Sequence, residues 1–327
     1  NKPHGMDENQ VGFQWLTPNF LTNITLLIEA PHRLCGCYSG NSCQQILIAM
    51  KNILATTDFT PDSLRAVKYA ARLAKDAGAK LIVLHATHIP VVSDTYFDIR
   101  VTLEELKKED EKSLTNLVNK LQDEFGPELK INKKIQVGFT TDIIRETIKS
   151  GDISLVVMGV THSDRFSEVV FGSTSTSLAG TVDVPVLIVP DKAVYKPWNY
   201  VAFAFDQYNI PTGTGLRILR ELINMDGSKL RFVHVNDNVF NDDDDKMLAP
   251  LFKIFKGVDM KTYFLRHSPG RTMEVLMDWV RRHKASAVVM VARKHNILWH
   301  IFNESSTKKM AFRSNVPVLV LSEKKNH

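Results

Sequence analysis

The sequence predicts an α/β protein in which one small unit occurs twice in tandem, each copy a parallel sheet with helices on both faces. Three observations lead there. Short runs that are apolar on both faces alternate with helical patterns, the arrangement that a covered parallel sheet requires. The chain repeats itself: Lys80-Leu81-Ile82-Val83-Leu84-His85 recurs as Lys229-Leu230-Arg231-Phe232-Val233-His234, 149 positions later, and Ile53–Asp58 recurs as Val201–Asp206, 148 positions later. Further along, Gly138, Thr140 and Asp142 answer to Gly270, Thr272 and Glu274, Val157-Met158 to Val289-Met290, and Pro185-Val186-Leu187 to Pro317-Val318-Leu319, all at an offset of 132. The drop in offset places a shorter connection after the second strand of the second copy, where length changes are tolerated.

The elements follow in order. A first strand, Asn52–Thr56, ends near Asp58 and leads into a helix with Asp62 or Ser63 as cap and Leu64, Val67, Ala70, Ala71 and Ala74 on one face. A second strand spans Lys80–Thr87, a helix Leu103–Phe125, a third strand Lys130–Gln136 and a helix Asp142–Lys149. The fourth strand, Leu155–Gly159, and the fifth, Pro185–Val189, are almost wholly apolar. The second copy reads likewise, with strands at Tyr200–Phe205, Lys229–Asn236, Asp259–Leu265, Ala287–Val291 and Pro317–Leu321 and helices near Lys246–Phe255 and Met273–His283. The acidic run Asp242–Asp245 and the segment Pro211–Gly215 are expected to be loops, and Arg281-Arg282 and Lys308-Lys309 solvated helix faces.

Length and composition agree. At 327 residues, 44% hydrophobic and 24% charged, the chain suits two folded domains. The net charge of +5 has no Lys/Arg block to concentrate it, which argues against nucleic acid and membrane surfaces as partners, and no run approaches the ~20 apolar residues of a membrane span. All three cysteines, Cys35, Cys37 and Cys43, precede Met50, so the repeated region is neither a disulfide scaffold nor a thiol enzyme. Residues 1–49 lack sustained periodicity and are expected to be a non-native or disordered leader without a metal site, ahead of domains at 50–192 and 196–323 in a cytoplasmic protein.

In an open parallel sheet the ligand crevice lies beyond the carboxyl ends of the strands, where strand order reverses. Asp58 closes strand one and can accept from an amine or a ribose hydroxyl. Gly159 closes strand four, where a missing side chain lets a ligand approach. Gly172-Ser173-Thr174-Ser175 opens a helix whose free N–H groups suit a phosphate. With these residues in this order, the chain resembles the universal stress protein family in its tandem two-domain form. The likeness rests on Ile53-Leu54-Ala55-Thr56-Thr57-Asp58, on the Val156–Gly159 strand, on Gly172-Ser173, and on Val184-Pro185-Val186-Leu187-Ile188-Val189, and it covers residues 50–323.

That resemblance implies a five-stranded, Rossmann-like parallel sheet in each copy and pairing of the two through their final strands, an intramolecular pseudo-dimer. It also implies adenine-nucleotide binding: ATP with Mg, held in copy one by Asp58, Gly159, His162, Gly172, Ser173 and Ser175. His162 stands where ATP-binding members carry the middle glycine of their motif; if that glycine needs a positive φ, the substitution costs about 1 kcal/mol, and the imidazole either occupies phosphate space or donates to it. In copy two the equivalent positions hold Val291, Lys294 and Glu304, so the site there is expected to be lost. For Asp58 and Asp206 the alternative is a helix-capping carboxylate; His85 and His234 are read as strand-end histidines held by packing, with ligand contact as the alternative. No His-Glu-x-x-His, Gly-x-Ser-x-Gly or Walker loop is present. The expectation is therefore a stress-response protein with a regulatory nucleotide rather than an enzyme. The alternatives are a ligand-free interaction module with both crevices degenerate, and a slow ATP hydrolase. A homodimer and an unidentified protein partner complete the expected associations.

Overall fold

The computed structural model describes residues 50–88, 99–162, 169–170, 173–179, 181–205, 213–236, 242–266, 272–292 and 315–322, all within the unit Ala49–His327. The readings of Cys35, Cys37, Cys43, Gly172, Asp206, Lys294, Glu304 and Lys308-Lys309 lie outside these residues.

Strand β1 (Asn52–Thr57) leads through helix α1 (Pro61–Ala77) to β2 (Lys80–Thr87). Helix α2 (Ile99–Phe125) precedes β3 (Ile131–Val137), and α3 (Thr140–Ser150) precedes β4 (Ile153–Gly159). A two-residue ladder, β5 (Thr161–His162) with β6 (Val169–Val170), was not foreseen, and a short α4 (Ser173–Leu178) leads to β7 (Val186–Val189). The rest continues as β8 (Tyr200–Phe205), α5 (Thr214–Asp226), β9 (Lys229–Asn236), α6 (Asp242–Ile254), β10 (Met260–Arg266), α7 (Thr272–Arg282), β11 (Ala287–Ala292) and β12 (Val318–Ser322).

Ten strands form one sheet in the order β10-β9-β8-β11-β12-β7-β4-β1-β2-β3. Read outward from the middle, each half runs through the last, fourth, first, second and third of its five long strands. All neighbours are parallel except β7 and β12, which pair antiparallel with Leu187 opposite Leu319. Period-two alternation divides the core. Ile53, Ala55, Val157, Phe203 and Leu319 pack with residues of α1, α2, α5 and α6, whereas Leu54, Val156, Met158, Ala202 and Val320 pack with α3, α4 and α7. The inner strands β1, β4, β7, β11 and β12 are thus buried on both faces, the reason their sequences are almost continuously apolar, whereas the edge strands β3 and β10 carry exposed polar residues.

The halves are also tied along their connection. Trp198 is 3% exposed and its indole N–H donates to Tyr69 Oη of α1 at 3.0 Å, while Glu221 of α5 accepts from the Met50 backbone N–H at 2.7 Å. Buried Tyr69 and half-buried Tyr195 meet edge to face, and desolvation raises both phenols well above their ordinary range. No helix of the described residues is long and apolar enough to cross a membrane.

Two loop expectations are corrected. Asp242–Asp245 form the first turn of α6 rather than a loop, because carboxylates at a helix N-terminus interact favourably with its positive dipole end. Thr214 and Gly215 belong to α5, with Gly213 as the N-cap at φ 90°, a left-handed backbone that favours glycine. Arg281 and Arg282 do lie on an exposed face, paired with Asp278.

Candidate functional site

The β1–α1 connection is built by side chains that hydrogen-bond backbone. Thr60 is the N-cap of α1, accepting from Ser63 N–H at 3.4 Å, and Pro61 follows at the first helical position, where no N–H is needed. The expected caps Asp62 and Ser63 therefore lie within the first turn. Asp58 does not cap the helix directly. Its Oδ1 accepts from the Thr60 N–H at 3.1 Å and from the Thr60 hydroxyl at 2.5 Å, an Asx-turn that holds the cap in place. Burial pushes the Asp58 carboxyl up, but these bonds and one from Ser63 outweigh it and hold the group below the usual carboxylate range. Ser63 Oγ, buried, stands 3.0 Å from Thr57 Oγ1 and donates to the Thr60 carbonyl at 3.0 Å. Between them Phe59 adopts φ 62°, a left-handed conformation costing a non-glycine residue roughly 1–2 kcal/mol, and its ring stacks on His85 with centroids 4.4 Å apart.

Beyond the carboxyl ends of β1, β2 and β4 opens a cleft of about 340 Å³. Its lining includes Thr57, Asp58, Thr60 and Ser63 from the first connection, His85, Thr87 and His88 from the end of β2, Leu106 and Asp110 from α2, and Met158 and Gly159 from β4, with Thr140 and Thr174 at the starts of α3 and α4. Of the residues nominated from sequence, Asp58 and Gly159 meet here. Ser173 and Ser175 stand in α4 on either side of Thr174. His162 pairs with Val169 in an extended ladder, a backbone any residue adopts, so the strain foreseen for a non-glycine residue does not arise.

Gly159 has a structural reason beside the one expected. A Cβ there would stand 2.9 Å from the Asp62 carbonyl oxygen and 3.2 Å from Ser63 Cα. The absent side chain admits the first turn of α1, and that turn carries Ser63 and the Thr60 cap to the cleft. In the second half Val291 holds the equivalent position, is 8% exposed, and α5 begins at Thr214. By the offset of 149 that aligns the helix-ending Gly78 with Gly227, Thr214 corresponds to Arg65, so α5 starts about one turn later than α1.

Sequence reasoning missed Asp110 as a cleft residue and took His85 first for a packed histidine, with ligand contact as the alternative; both line the cleft. His85 Nδ1 lies 2.8 Å from the Thr57 carbonyl oxygen and its Nε2 3.1 Å from Asp110 Oδ2, which also accepts from Thr87 Oγ1 at 2.6 Å. Asp110 sits on the inward stripe of α2, four residues after Leu106 and four before fully buried Leu114. A carboxylate on an apolar stripe is the signal that finds it. Among the described residues no group of three His, Cys, Asp or Glu side chains is placed to hold a metal.

This fold has counterparts. The chain aligns with the crystal structure of a universal stress protein from Archaeoglobus fulgidus at a TM-score of 0.67 and 19% identity, over 84% of this chain and 99% of that one. Residues 50–190 match the profile of the universal stress protein family. A universal stress protein of Methanocaldococcus jannaschii is 27% identical over 140 residues, which is 42% of this chain and 81% of the relative. Universal stress protein A of Yersinia pestis is 31% identical over 146 residues, 44% of this chain and 93% of that protein. Identical at nearly a third of the aligned positions along almost the whole of that relative, this chain belongs to the universal stress protein family.

Proposed function

We propose that the protein is a stress-response regulator whose front domain, residues 50–192, binds an adenine nucleotide, ATP with Mg, as a conformational input rather than as a substrate. The observation that carries this is the cleft itself, about 340 Å³ at the carboxyl ends of β1 and β4, lined by Asp58 and Gly159 and reached by Thr174 of α4. That volume falls within the roughly 300–1,000 Å³ of small-molecule sites. A nucleoside fits its chemistry. Hydroxyls of Thr57, Thr60 and Ser63 and the exposed carboxylate of Asp58 offer acceptors to ribose and amine donors, beside the apolar walls of Leu106 and Met158. Phosphates would extend toward Gly172, Ser173, Ser175 and His162. Magnesium would enter on those phosphates.

Residues 196–323 would be a second, degenerate copy completing an intramolecular pseudo-dimer. The mirrored strand order, the antiparallel β7–β12 pair and Val291 in place of Gly159 support this. Ligand that binds one state better than another shifts a partner interaction by that difference in affinity. The partner, another protein or a second copy of this chain, would read the change in a cytoplasmic setting.

A thermal melt with and without Mg-ATP tests the proposal. Ligand at 100 times its dissociation constant adds about 2.7 kcal/mol, which moves the midpoint by several degrees. No shift at millimolar nucleotide rejects the proposal.

A further inference from the structure

The two matching histidines form an internal control. In the front half, the His85 Nδ1 stands 2.8 Å from the Thr57 carbonyl oxygen and the ring stacks on Phe59. In the back half, the His234 Nδ1 stands 3.0 Å from the Phe205 carbonyl oxygen and the ring lies against Phe205, centroids 5.0 Å apart. A carbonyl only accepts, so Nδ1 donates in both. The histidines are similarly buried, 8% and 4% exposed, and part company at Nε2. That of His85 meets Asp110, whereas that of His234 is buried with no hydrogen-bond partner among the described residues. Carbonyl and ring alone therefore seat such a histidine, and Asp110 is not needed for that purpose.

Asp110 nevertheless occupies an apolar stripe, where a carboxylate is costly unless it is hydrogen-bonded. Thr87 and His85 both engage Oδ2. Among the described residues no hydrogen bond reaches Oδ1, and the side chain lines the cleft. From this geometry we infer that Asp110 is a specificity-determining residue: a fixed acceptor for a donor, an exocyclic amine or a ribose hydroxyl, on the nucleoside bound in the cleft. This rests on the nucleotide reading of that cleft and adds to it the group that selects among nucleosides.

Calorimetric titration of the full chain with adenosine, inosine, 2′-deoxyadenosine and 3′-deoxyadenosine tests it, on the wild type and on Asp110→Asn. Asparagine keeps the shape but has one acceptor oxygen where the carboxylate has two; with that oxygen held by the Thr87 hydroxyl, it turns an NH₂ donor to the cleft where an acceptor stood. A hydrogen bond to a charged group makes the expected loss of adenosine affinity about tenfold or more. If the partner is the amine, inosine suffers least in the variant; if it is a ribose hydroxyl, the analogue lacking that hydroxyl does. On the wild type, inosine or one of the deoxy analogues binds about tenfold weaker than adenosine. Should Asp110→Asn fold poorly, Asp110→Ser takes its place, with the same loss of adenosine affinity expected. Binding of all four nucleosides within twofold of one another, or of Asp110→Asn within twofold of wild type, overturns the inference while leaving the nucleotide site intact. A wild type that binds none of them overturns both.

Discussion

Replacing Gly159 by alanine separates a glycine kept for a ligand from one kept for a helix. The new methyl would meet the Asp62 carbonyl oxygen at 2.9 Å, the Asp62 carbonyl carbon at 3.1 Å and Ser63 Cα at 3.2 Å. All three are backbone atoms, so none can rotate aside, and the first turn of α1 must shift as a body. Overpacking of this kind costs about 1–3 kcal/mol. The shift also strains the Thr60 cap, already at 3.4 Å from Ser63 N, and a lost cap costs about 1 kcal/mol. A destabilisation of about 2 kcal/mol corresponds to a midpoint lower by roughly 4–8 °C in a unit of this size, read by thermal or urea denaturation followed by circular dichroism. A variant that melts within about 1 °C of wild type and loses only nucleotide affinity would refute the helix-seating role and restore the ligand-gap one.

Other outcomes follow from the same geometry. Asp58 has a carboxyl held below its unfolded value, so its contribution to stability is present above the unfolded pKa of ~3.9 and is lost as pH falls through the folded one. Asp58→Asn should therefore melt below wild type at pH 7, by less than about 1 kcal/mol because the group is exposed, and match it at pH 2; a gap that persists in acid contradicts this. Asp226 behaves oppositely. Burial raises its carboxyl against the pull of the Trp198 N–H, and the nearby Asp76 raises it further. Its favourable contribution is complete only below the unfolded pKa and is lost as pH rises through the folded one. Asparagine still accepts from Trp198 N–H, now 2.7 Å from Oδ2, so Asp226→Asn should melt above wild type at pH 7, with the gap closing toward pH 4. A lower midpoint at pH 7 speaks against it. Trp198→Phe removes the donor to Tyr69 Oη and should cost about 1–3 kcal/mol in urea denaturation; an unchanged midpoint means that contact contributes nothing.

The sheet was legible because burial on both faces leaves little room for polar residues, so Val156-Val157-Met158 and Val288-Val289-Met290 announce central strands wherever they occur. Helix starts were harder to place. Thr60, Asp62 and Ser63 compete as caps on composition alone, and Pro61 was the unused signal, since proline at the first helical position makes the residue before it the cap. The acidic run Asp242–Asp245 looked like solvent-loving loop because a charge count carries no direction, whereas a helix N-terminus favours those charges. At the cleft, Asp58 and Gly159 could be named because they end strands. Asp110 could not, because it stands mid-helix among Glu104, Glu105, Glu109 and Glu111, and only its position on the Leu106–Leu114 stripe distinguishes it from its solvated neighbours. For Gly159, sequence shows that a side chain is missing, and the fold adds what a side chain there would meet, the backbone of Asp62 and Ser63.

Photolabelling with an 8-azido adenine nucleotide, followed by peptide mapping, tests most directly whether the front cleft binds a nucleotide that the back half does not. Label that unlabelled Mg-ATP competes away should fall on peptides carrying Asp58–Ser63, the end of β2, or Asp110, with none between Tyr200 and Ser322. Competed label confined to the back half, or no competed label at all, would contradict the assignment.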